Sequence, residues 1–209
     1  MLEAAVPFFA EHGFAASTRE LARHLGVTQA LIYKHFGSKD AFIASLLERT
    51  FDGVWRRATA VLDDDTRPLT DRLAAFYGGA GRGSKDRIRL FVRAGLDGWP
   101  VPARHGARLT RHIFRPVIRA LRREAGLPGF LERPLMRGER ELAMMLHASV
   151  VFMGIREHVY RMPMPGDRDG LIRFYVEIYL PGALAQLRRL HNGEADDGLT
   201  VAQLAPASN

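Results

Sequence analysis

The chain has 209 residues, a formal net charge of +7 and no cysteine, and 47% of its residues are hydrophobic. This length fits one large domain, or a small domain joined to a larger one, with an ordinary core. The absence of cysteine excludes disulfides, thiol catalysis, Fe–S clusters and cysteine-based zinc sites. No apolar run reaches the roughly 18 residues that a membrane-spanning helix needs, so we expect a cytoplasmic protein with no membrane partner.

The positive charge is concentrated in the middle of the chain. Residues 1–50 carry five basic and five acidic side chains, whereas residues 101–150 carry ten basic and four acidic ones. A basic protein is a candidate for binding nucleic acid or another anionic surface. All but three of the basic residues are arginine, a bias typical of a GC-rich genome, so the net charge alone is weak support for either partner.

The first 45 residues predict four helical segments in close succession. Residues 2–12 have apolar side chains at helical spacing. Ser17–Glu20 is a capping box that begins a second helix, and Gly26 ends that helix. Thr28 is placed to cap a third helix and Ser38 a fourth. Two short helices joined by a tight glycine-containing turn, after a helix that packs on them, indicate a helix-turn-helix.

Three stretches of this segment carry recognisable motifs. They are Phe-Ala-Glu-His-Gly-Phe at residues 9–14, Thr-Arg-Glu-Leu-Ala at 18–22 and Gly-Val-Thr-Gln-Ala-Leu-Ile-Tyr-Lys-His-Phe-Gly-Ser-Lys at 26–39. With these motifs at this spacing, about the first 45 residues resemble the DNA-binding domain of TetR (tetracycline-repressor-like) regulators. Leu31 departs from the family pattern, in which many members have a threonine.

The resemblance implies which side chains touch DNA. Contacts with the DNA backbone are implied for Thr18, Thr28, Tyr33 and Lys39. Positions near base edges are implied for Arg19, Gln29, Ala30 and His35, and Lys34 stands at a variable position that often touches DNA. Glutamine can read adenine, and tyrosine, lysine and threonine can contact phosphate. Each residue also has a structural interpretation, such as a buried anchor for Tyr33 or a solvated charge for Lys34.

Beyond residue 45 the sequence predicts further helices. The fourth helix continues toward Leu62, and later helices cover residues 69–79, 85–97, 104–122 and 138–161 and a final segment from Leu171 that Pro181 kinks or interrupts. The predicted fold class is all-α, with an N-terminal three-helix helix-turn-helix domain (residues 1–45). A larger helical ligand-binding, regulatory and dimerisation domain (46–191) and a loose tail (192–209) follow. By the resemblance, the last two long helices pair with their copies in a dimer.

A row of arginines lies on the helix predicted for residues 104–122. Spacings of three and four place six of them on one stripe, and the interior Pro116 should bend the helix. The six are Arg104, Arg108, Arg111, Arg115, Arg119 and Arg122. The stripe is either a solvated face partly neutralised by acids such as Asp71, Glu139 or Glu141, a site for an anionic ligand, or a contribution to the approach of DNA.

No catalytic or metal-binding motif is found, so we expect no enzyme activity, no metal and no cofactor. The apolar middle of the second domain is expected to enclose a pocket for an effector. The candidate pocket residues, each of which also fits an ordinary core position, are Phe91, Trp99, Phe114, His147 and Phe152.

The predicted function is that of a homodimeric, sequence-specific transcription regulator. It is expected to be a repressor that a small-molecule effector releases from a palindromic double-stranded DNA operator. Two alternatives stay open. The regulator is controlled by a protein partner or has no effector, or the second domain is an enzyme that acts on an anionic substrate.

Overall fold

The computed structural model describes residues 1–52, 59–80, 85–99 and 106–194, and within these ranges the regular structure is helical throughout. The main helices are α1 (Leu2–His12), α2 (Thr18–Leu25), α3 (Gln29–Phe36), α4 (Lys39–Asp52), α5 (Leu69–Ala80), α6 (Lys85–Leu96), α7 (Arg115–Ala125), α8 (Arg137–His158) and α9 (Arg168–Asn192). The prediction of an all-α fold with an N-terminal helix-turn-helix is confirmed.

The first hydrophobic core lies among α1 to α4. Its members from these helices and the loop after α1 are Ala5, Phe8, Phe9, Ala10, Phe14, Leu21, Ala22, Ile32, Phe42, Ile43, Leu46 and Leu47. Leu90 and Ala94 of α6 complete it, and both are fully buried. Burial of a leucine contributes roughly 1.5–3 kcal/mol, so α6 is part of what stabilises this domain. The domain boundary after residue 45 stays a prediction, and this core draws on residues from both sides of it.

The second core is built from α5, α7, α8 and α9. Phe76, Tyr77 and Val176 are among its fully buried side chains, and Leu146 is almost fully buried. Helices α8 and α9 are the longest of the described helices, with 22 and 25 residues, and they pack on one another. Asp167 caps the start of α9 by accepting a hydrogen bond of 2.8 Å from the Gly170 amide.

The prediction that the fourth helix continues toward Leu62 falls partly outside the described residues, and at its far end the structure has a 3-10 helix in place of an α-helix. Helix α4 ends at Asp52, residues 53–58 lie outside the described ranges, and Thr59–Asp63 form a 3-10 helix. The carbonyl of Leu62 accepts hydrogen bonds from the guanidinium groups of Arg72, at 3.1 Å, and Arg123, at 2.9 Å. These side chains satisfy a carbonyl near the end of the 3-10 helix, where carbonyl groups have no partner within the helix.

Two interior prolines are accommodated differently. Pro116 lies in the first turn of α7, directly after a π-helical turn at Thr110–Phe114. Pro116 has no backbone N–H to donate. It therefore fits at this point, where the hydrogen-bond pattern changes from that of the π-helical turn to that of the α-helix. Helix α9 runs without interruption through Pro181, whose side chain is exposed, so interruption there was the wrong alternative. The tail beyond residue 194 lies outside the described ranges.

Candidate nucleic-acid interface

Helix α2 begins with a complete capping box. The Ser17 hydroxyl accepts a hydrogen bond of 3.2 Å from the Glu20 amide. In return the Glu20 carboxylate accepts from the Ser17 hydroxyl, at 2.8 Å, and from the Ser17 amide, at 2.9 Å. These two donors hold the pKa of Glu20 below its ordinary value. The start of α2, and with it the position of Thr18, is therefore fixed.

The turn between α2 and α3 is closed by local hydrogen bonds. Gly26 has a φ of +66°, a left-handed conformation that costs a residue with a side chain about 1–2 kcal/mol. The Val27 amide donates to a carbonyl of α2 over 3.0 Å. The Thr28 hydroxyl then caps α3 by accepting from the Leu31 amide at 3.2 Å. Because Ile32 of α3 is fully buried in the first core, the opposite face of α3 points outward.

Thr18, Gln29 and Tyr33 form a hydrogen-bonded cluster between α2 and α3. The Gln29 Nε2 atom donates to the Thr18 Oγ1 atom over 2.9 Å and lies 3.5 Å from the Tyr33 hydroxyl. The Thr18 and Tyr33 hydroxyl oxygens share a hydrogen bond of 2.9 Å. Hydrogen bonds from Thr18 and Gln29, with a smaller effect of the Lys39 charge, lower the pKa of Tyr33. Thr18 is buried, whereas 40% of Tyr33 is exposed.

The outer surface beside this cluster is polar and exposed. Ala30, Lys34 and His35 of α3 are exposed, as is Arg19 of α2. The start of α4 lies next to it: the Ser38 hydroxyl accepts from the Ala41 amide at 3.0 Å. The sequence-predicted DNA residues thus come together on the starts of α2 and α4 and on α3. The sequence did not reveal that Thr18 is buried and bonded to two of the other predicted contacts.

The N-terminal domain matches a family model. Residues 1–46 fit the model described as bacterial regulatory proteins, tetR family. Residues 1–46 therefore form a DNA-binding domain of the tetR family. The resemblance stated from the sequence motifs is confirmed.

Curated relatives match this chain over part of their length. The HTH-type transcriptional repressor KstR2 of Mycobacterium tuberculosis is 33% identical over 78 residues, which are 37% of this chain and 38% of the relative. The HTH-type transcriptional repressor Rv3405c of the same organism is 32% identical over 103 residues, 48% of this chain and 47% of the relative. The chain therefore spans less than half the length of these curated relatives.

Solved structures extend the likeness of fold to most of the chain. The TetR family transcriptional regulator PfmR of Thermus thermophilus has a TM-score of 0.61 at 23% identity, over 86% of this chain and 96% of that one. A TetR-like transcriptional regulator of Rhodococcus sp. RHA1 has a TM-score of 0.56 at 17% identity, over 92% and 93%. The second domain thus has the helical fold found beside the TetR DNA-binding domain.

The effector-pocket candidates lie in four different places. The ring of His147 lies 6.2 Å from that of Phe114, and both side chains are buried. Phe91 packs against Phe51 at 5.7 Å. The other two lie apart from both pairs: Trp99 packs against Phe14 beside the first core, and Phe152 is half exposed on α8.

A residue that the sequence did not single out joins the buried pair. The ring of Tyr77 lies 6.2 Å from that of His147. Its burial and, to a smaller extent, the nearby Tyr179 raise the pKa of the Tyr77 phenol, which stays protonated. Tyr77 sits on α5 in an apolar pattern that is typical of any core aromatic, so no sequence signal marked it.

The arginine stripe is only partly solvated. Arg111, Arg115 and Arg119 are exposed, whereas Arg122 is fully buried. The Arg122 guanidinium donates to both carboxylate oxygens of Glu139, at 2.7 and 2.6 Å. Glu139, which the sequence offered as one neutralising acid, is therefore the partner of Arg122. Of the other members, Arg108 donates to Glu48 of α4 at 2.8 Å, and Arg104 lies outside the described ranges.

Neither a membrane helix nor a metal cluster is found among the described residues. No described helix combines the length and the apolar character needed to cross a bilayer. Within the same ranges, no group of three histidine or acidic side chains is arranged to hold a metal ion.

Proposed function

We propose that this chain is a homodimeric, sequence-specific transcription regulator, a repressor that a small-molecule effector releases from its DNA operator. The observation that carries the proposal is the outward face of α3. Lys34 and His35 are exposed there, while the buried Ile32 fixes the opposite face. An α-helix fits the major groove of B-DNA, and in helix-turn-helix proteins the second helix contacts base edges there.

The positive charge of the proposed DNA-binding surface comes from a few individual side chains. Residues 1–50 are formally neutral, yet the charge of Lys39 is close enough to Tyr33 to help lower the pKa of its hydroxyl, and Lys34 is exposed on α3. Phosphate contacts need donors and cations at particular points on the surface. A formally neutral domain that carries Lys34 and Lys39 at its predicted DNA-contact positions meets that need, and the basic block of residues 101–150 is not required for it.

Binding to the DNA upstream of the chain's own gene tests this surface. In fluorescence anisotropy, Tyr33→Phe combined with Lys39→Ala is expected to weaken binding at least about tenfold, because each change removes a group that contacts phosphate. The matched control is Tyr160→Phe with Lys85→Ala, which makes the same chemical changes at exposed positions outside the helix-turn-helix. Equal affinities of the two double variants would contradict the proposed interface.

The proposed dimer uses the outer faces of α8 and α9. Apolar side chains on these faces are exposed, and they include Met145, Phe152, Phe174 and Ile178. A groove of about 660 Å³ runs between the two helices. Exposed apolar surface rimmed by polar residues is typical of a protein interface. Small residues such as Ala148 and Gly182 on the same faces leave room for a second helix pair, which favours a second copy as the occupant.

Sedimentation measures this dimer directly. Ile178→Glu is expected to convert the protein into a monomer, because it places a charge in the centre of an apolar interface. Leu131→Glu is the control, since Leu131 is fully exposed in the loop between α7 and α8. A dimer that persists in Ile178→Glu would exclude this pair of helix faces.

The proposed effector site surrounds Phe114 and His147. The two rings and Tyr77 form a buried aromatic group, and Phe114 closes the π-helical turn. Turns of this kind are frequent at functional sites. Aromatic surface with few polar groups fits a mainly apolar small molecule that carries a hydrogen-bonding group.

Helix α6 provides a route from the second domain to the DNA-binding domain. Leu90 and Ala94 lie in the first core. On α8, a Cβ atom at Gly154 would lie only 3.0 Å from Ile88 of α6, so the two helices are in close contact. A shift of α6 would thus move the helix-turn-helix, and in a dimer it would change the spacing of the two α3 helices. Release follows when that spacing no longer matches the operator half-sites.

A ligand panel tests the effector site. Compounds that raise the melting temperature are then assayed for release of bound DNA. Phe114→Leu is expected to raise the concentration of compound needed for release, while Phe91→Leu, at a ring packed on Phe51, leaves it unchanged. If no compound changes DNA binding, or if both variants respond equally, the proposed site is wrong.

A further inference from the structure

Thr18 is the least exposed of the side chains that the TetR resemblance places against DNA. It is 7% exposed, and its hydroxyl is bonded to Gln29 and Tyr33. As the first residue of α2 it does not cap the helix, because Ser17 does so. The Thr18 hydroxyl therefore has no role in starting α2, and its bonds are directed at two residues of α3.

The direction of these hydrogen bonds follows from donor and acceptor chemistry. The Gln29 amide nitrogen donates to Thr18 Oγ1, which leaves that hydroxyl its own proton to donate. A phosphate group only accepts, so a Tyr33 hydroxyl that binds phosphate must direct its proton outward. Thr18 must then be the donor in its bond with Tyr33. The result is a chain in which Gln29 donates to Thr18, Thr18 to Tyr33, and Tyr33 to DNA, and such chains strengthen each member bond.

The same chain orients the Gln29 amide. Its Nε2 atom lies 2.9 Å from the Thr18 hydroxyl oxygen and 3.5 Å from that of Tyr33, so both N–H groups have an acceptor within the cluster. The Oε1 atom takes part in none of the described hydrogen bonds. The polar atom that Gln29 has left for a base is therefore an acceptor. In the major groove, the bases that present an amino donor are adenine, through N6, and cytosine, through N4.

We propose that Thr18 is a positioning residue for DNA recognition, which holds Gln29 so that its Oε1 atom selects a base with an exocyclic amine. This inference rests on the proposed function, because it requires that α3 bind in the major groove. It assigns Thr18 a role through Gln29 and Tyr33 in place of a direct contact with the DNA backbone.

The test begins with selection of a bound sequence. The full chain is used to select duplexes from a randomised pool, and the affinity of the selected duplex is compared with that of its single-base substitutions. We expect one position per half-site at which one base pair is preferred by about tenfold and at which the preference depends on the exocyclic amine of its adenine or cytosine. Failure to select any sequence would refute the proposed function and, with it, this inference. At the position that Gln29→Ala affects, the preferred adenine is then replaced by purine, or the preferred cytosine by 2-pyrimidinone, which removes the exocyclic amine. Affinity unchanged by that replacement would overturn the inference alone.

Variants at Thr18 and Gln29 identify the position. Thr18→Val keeps the shape of the side chain and removes the hydroxyl, and it is expected to reduce the preference at that one position to about threefold or less. Thr18→Ser, which retains the hydroxyl, should restore it. Gln29→Ala should abolish the same preference, and adding Thr18→Val to Gln29→Ala should then change it no further. Melting temperatures of all variants establish that the domain stays folded.

A direct phosphate contact by Thr18 gives a different result. In that case Thr18→Val weakens binding to every duplex by the same factor. The slope of log affinity against log salt stays the same, because the Thr18 hydroxyl carries no charge and its loss releases no counterion. That outcome, or an unchanged base preference in Thr18→Val, would overturn the proposed positioning role.

Discussion

Removal of the Glu139 carboxylate is expected to destabilise the second domain severely. Glu139 is fully buried and accepts two hydrogen bonds from the buried Arg122. It also accepts from the Met136 amide at 2.9 Å and bonds to the His191 ring at 3.0 Å. The Arg122 guanidinium donates in addition to carbonyls of the loop before α8. These groups join the end of α7, the start of α8 and the end of α9.

The size of the stability loss follows from the buried charge of Arg122, which has no partner once the Glu139 carboxylate is removed. Loss of one partner of a buried ion pair typically costs about 3–5 kcal/mol, because the other charge is left uncompensated. The free energy of unfolding of a domain is only about 5–15 kcal/mol. For a protein of 150–250 residues, 1 kcal/mol shifts the melting temperature by about 2–4 °C. Glu139→Ala is therefore expected to lower it by about 6–20 °C.

Thermal unfolding followed by circular dichroism at fixed protein concentration measures this effect. The control is Glu141→Ala, which removes an exposed carboxylate from the same helix and should change stability by no more than about 0.5 kcal/mol. Replacement of both partners, Arg122→Met with Glu139→Leu, should recover most of the loss, since no buried charge then lacks a partner. A loss below about 1 kcal/mol in Glu139→Ala would refute the reasoning.

The same carboxylate gives the protein a defined response to acid. Burial raises the pKa of Glu139, but the hydrogen bonds from Arg122, Met136 and His191 outweigh it, so the net pKa lies below the ordinary value. A carboxyl group with a lowered folded-state pKa stabilises the protein above its unfolded pKa of about 4.3, and this contribution is lost as the pH falls through the folded value. Below about pH 4, the free energy of unfolding of the unaltered protein should decrease as the pH decreases. Glu139→Gln should reduce this dependence on pH.

Three glycine substitutions test the contacts of α6. Gly13→Ala should destabilise the protein by about 1–3 kcal/mol, because φ is +75° and the new Cβ would lie 2.6 Å from Arg93 Nη1. Gly154→Ala should also be destabilising, by about 1–3 kcal/mol through overpacking against Ile88. Gly95→Ala faces open space within α6 and should stabilise by about 0.5–1 kcal/mol. Equal melting temperatures of the three variants would contradict these contacts.

The sequence predicted what short-range signals determine. Ser17, Gly26 and Thr28 each act within one turn of the chain, and they place the ends of α2 and the start of α3 where the structure has them. The same spacing argument could not separate Arg122 from Arg119, which share one stripe although only Arg122 is buried. Burial there depends on Glu139 and on a loop that meets the stripe only in the folded chain.

Contacts between distant segments account for the other differences. Nothing in the local pattern of α6 indicates that Leu90 would complete the core of the first domain. Trp99, a pocket candidate that also fitted a core position, packs against Phe14 with 5.7 Å between ring centroids. Both placements depend on how α6 approaches α1, which periodicity does not specify. Membership of the pocket therefore stays a prediction, supported best at Phe114 and His147.

The position of α6 makes the two domains mechanically dependent on each other. Arg93 of this helix donates to the Glu11 carbonyl at the end of α1 over 3.0 Å, where a cation is favourable beside the helix dipole. Leu90 is buried in the first core, and Ile88 lies against Gly154 of α8. Because protein interiors are close-packed, a displacement of α6 by a ligand cannot be absorbed on one side alone. Under the proposed function, an effector therefore need not reach the DNA-binding domain, since a shift at α8 would be transmitted to α1 through α6.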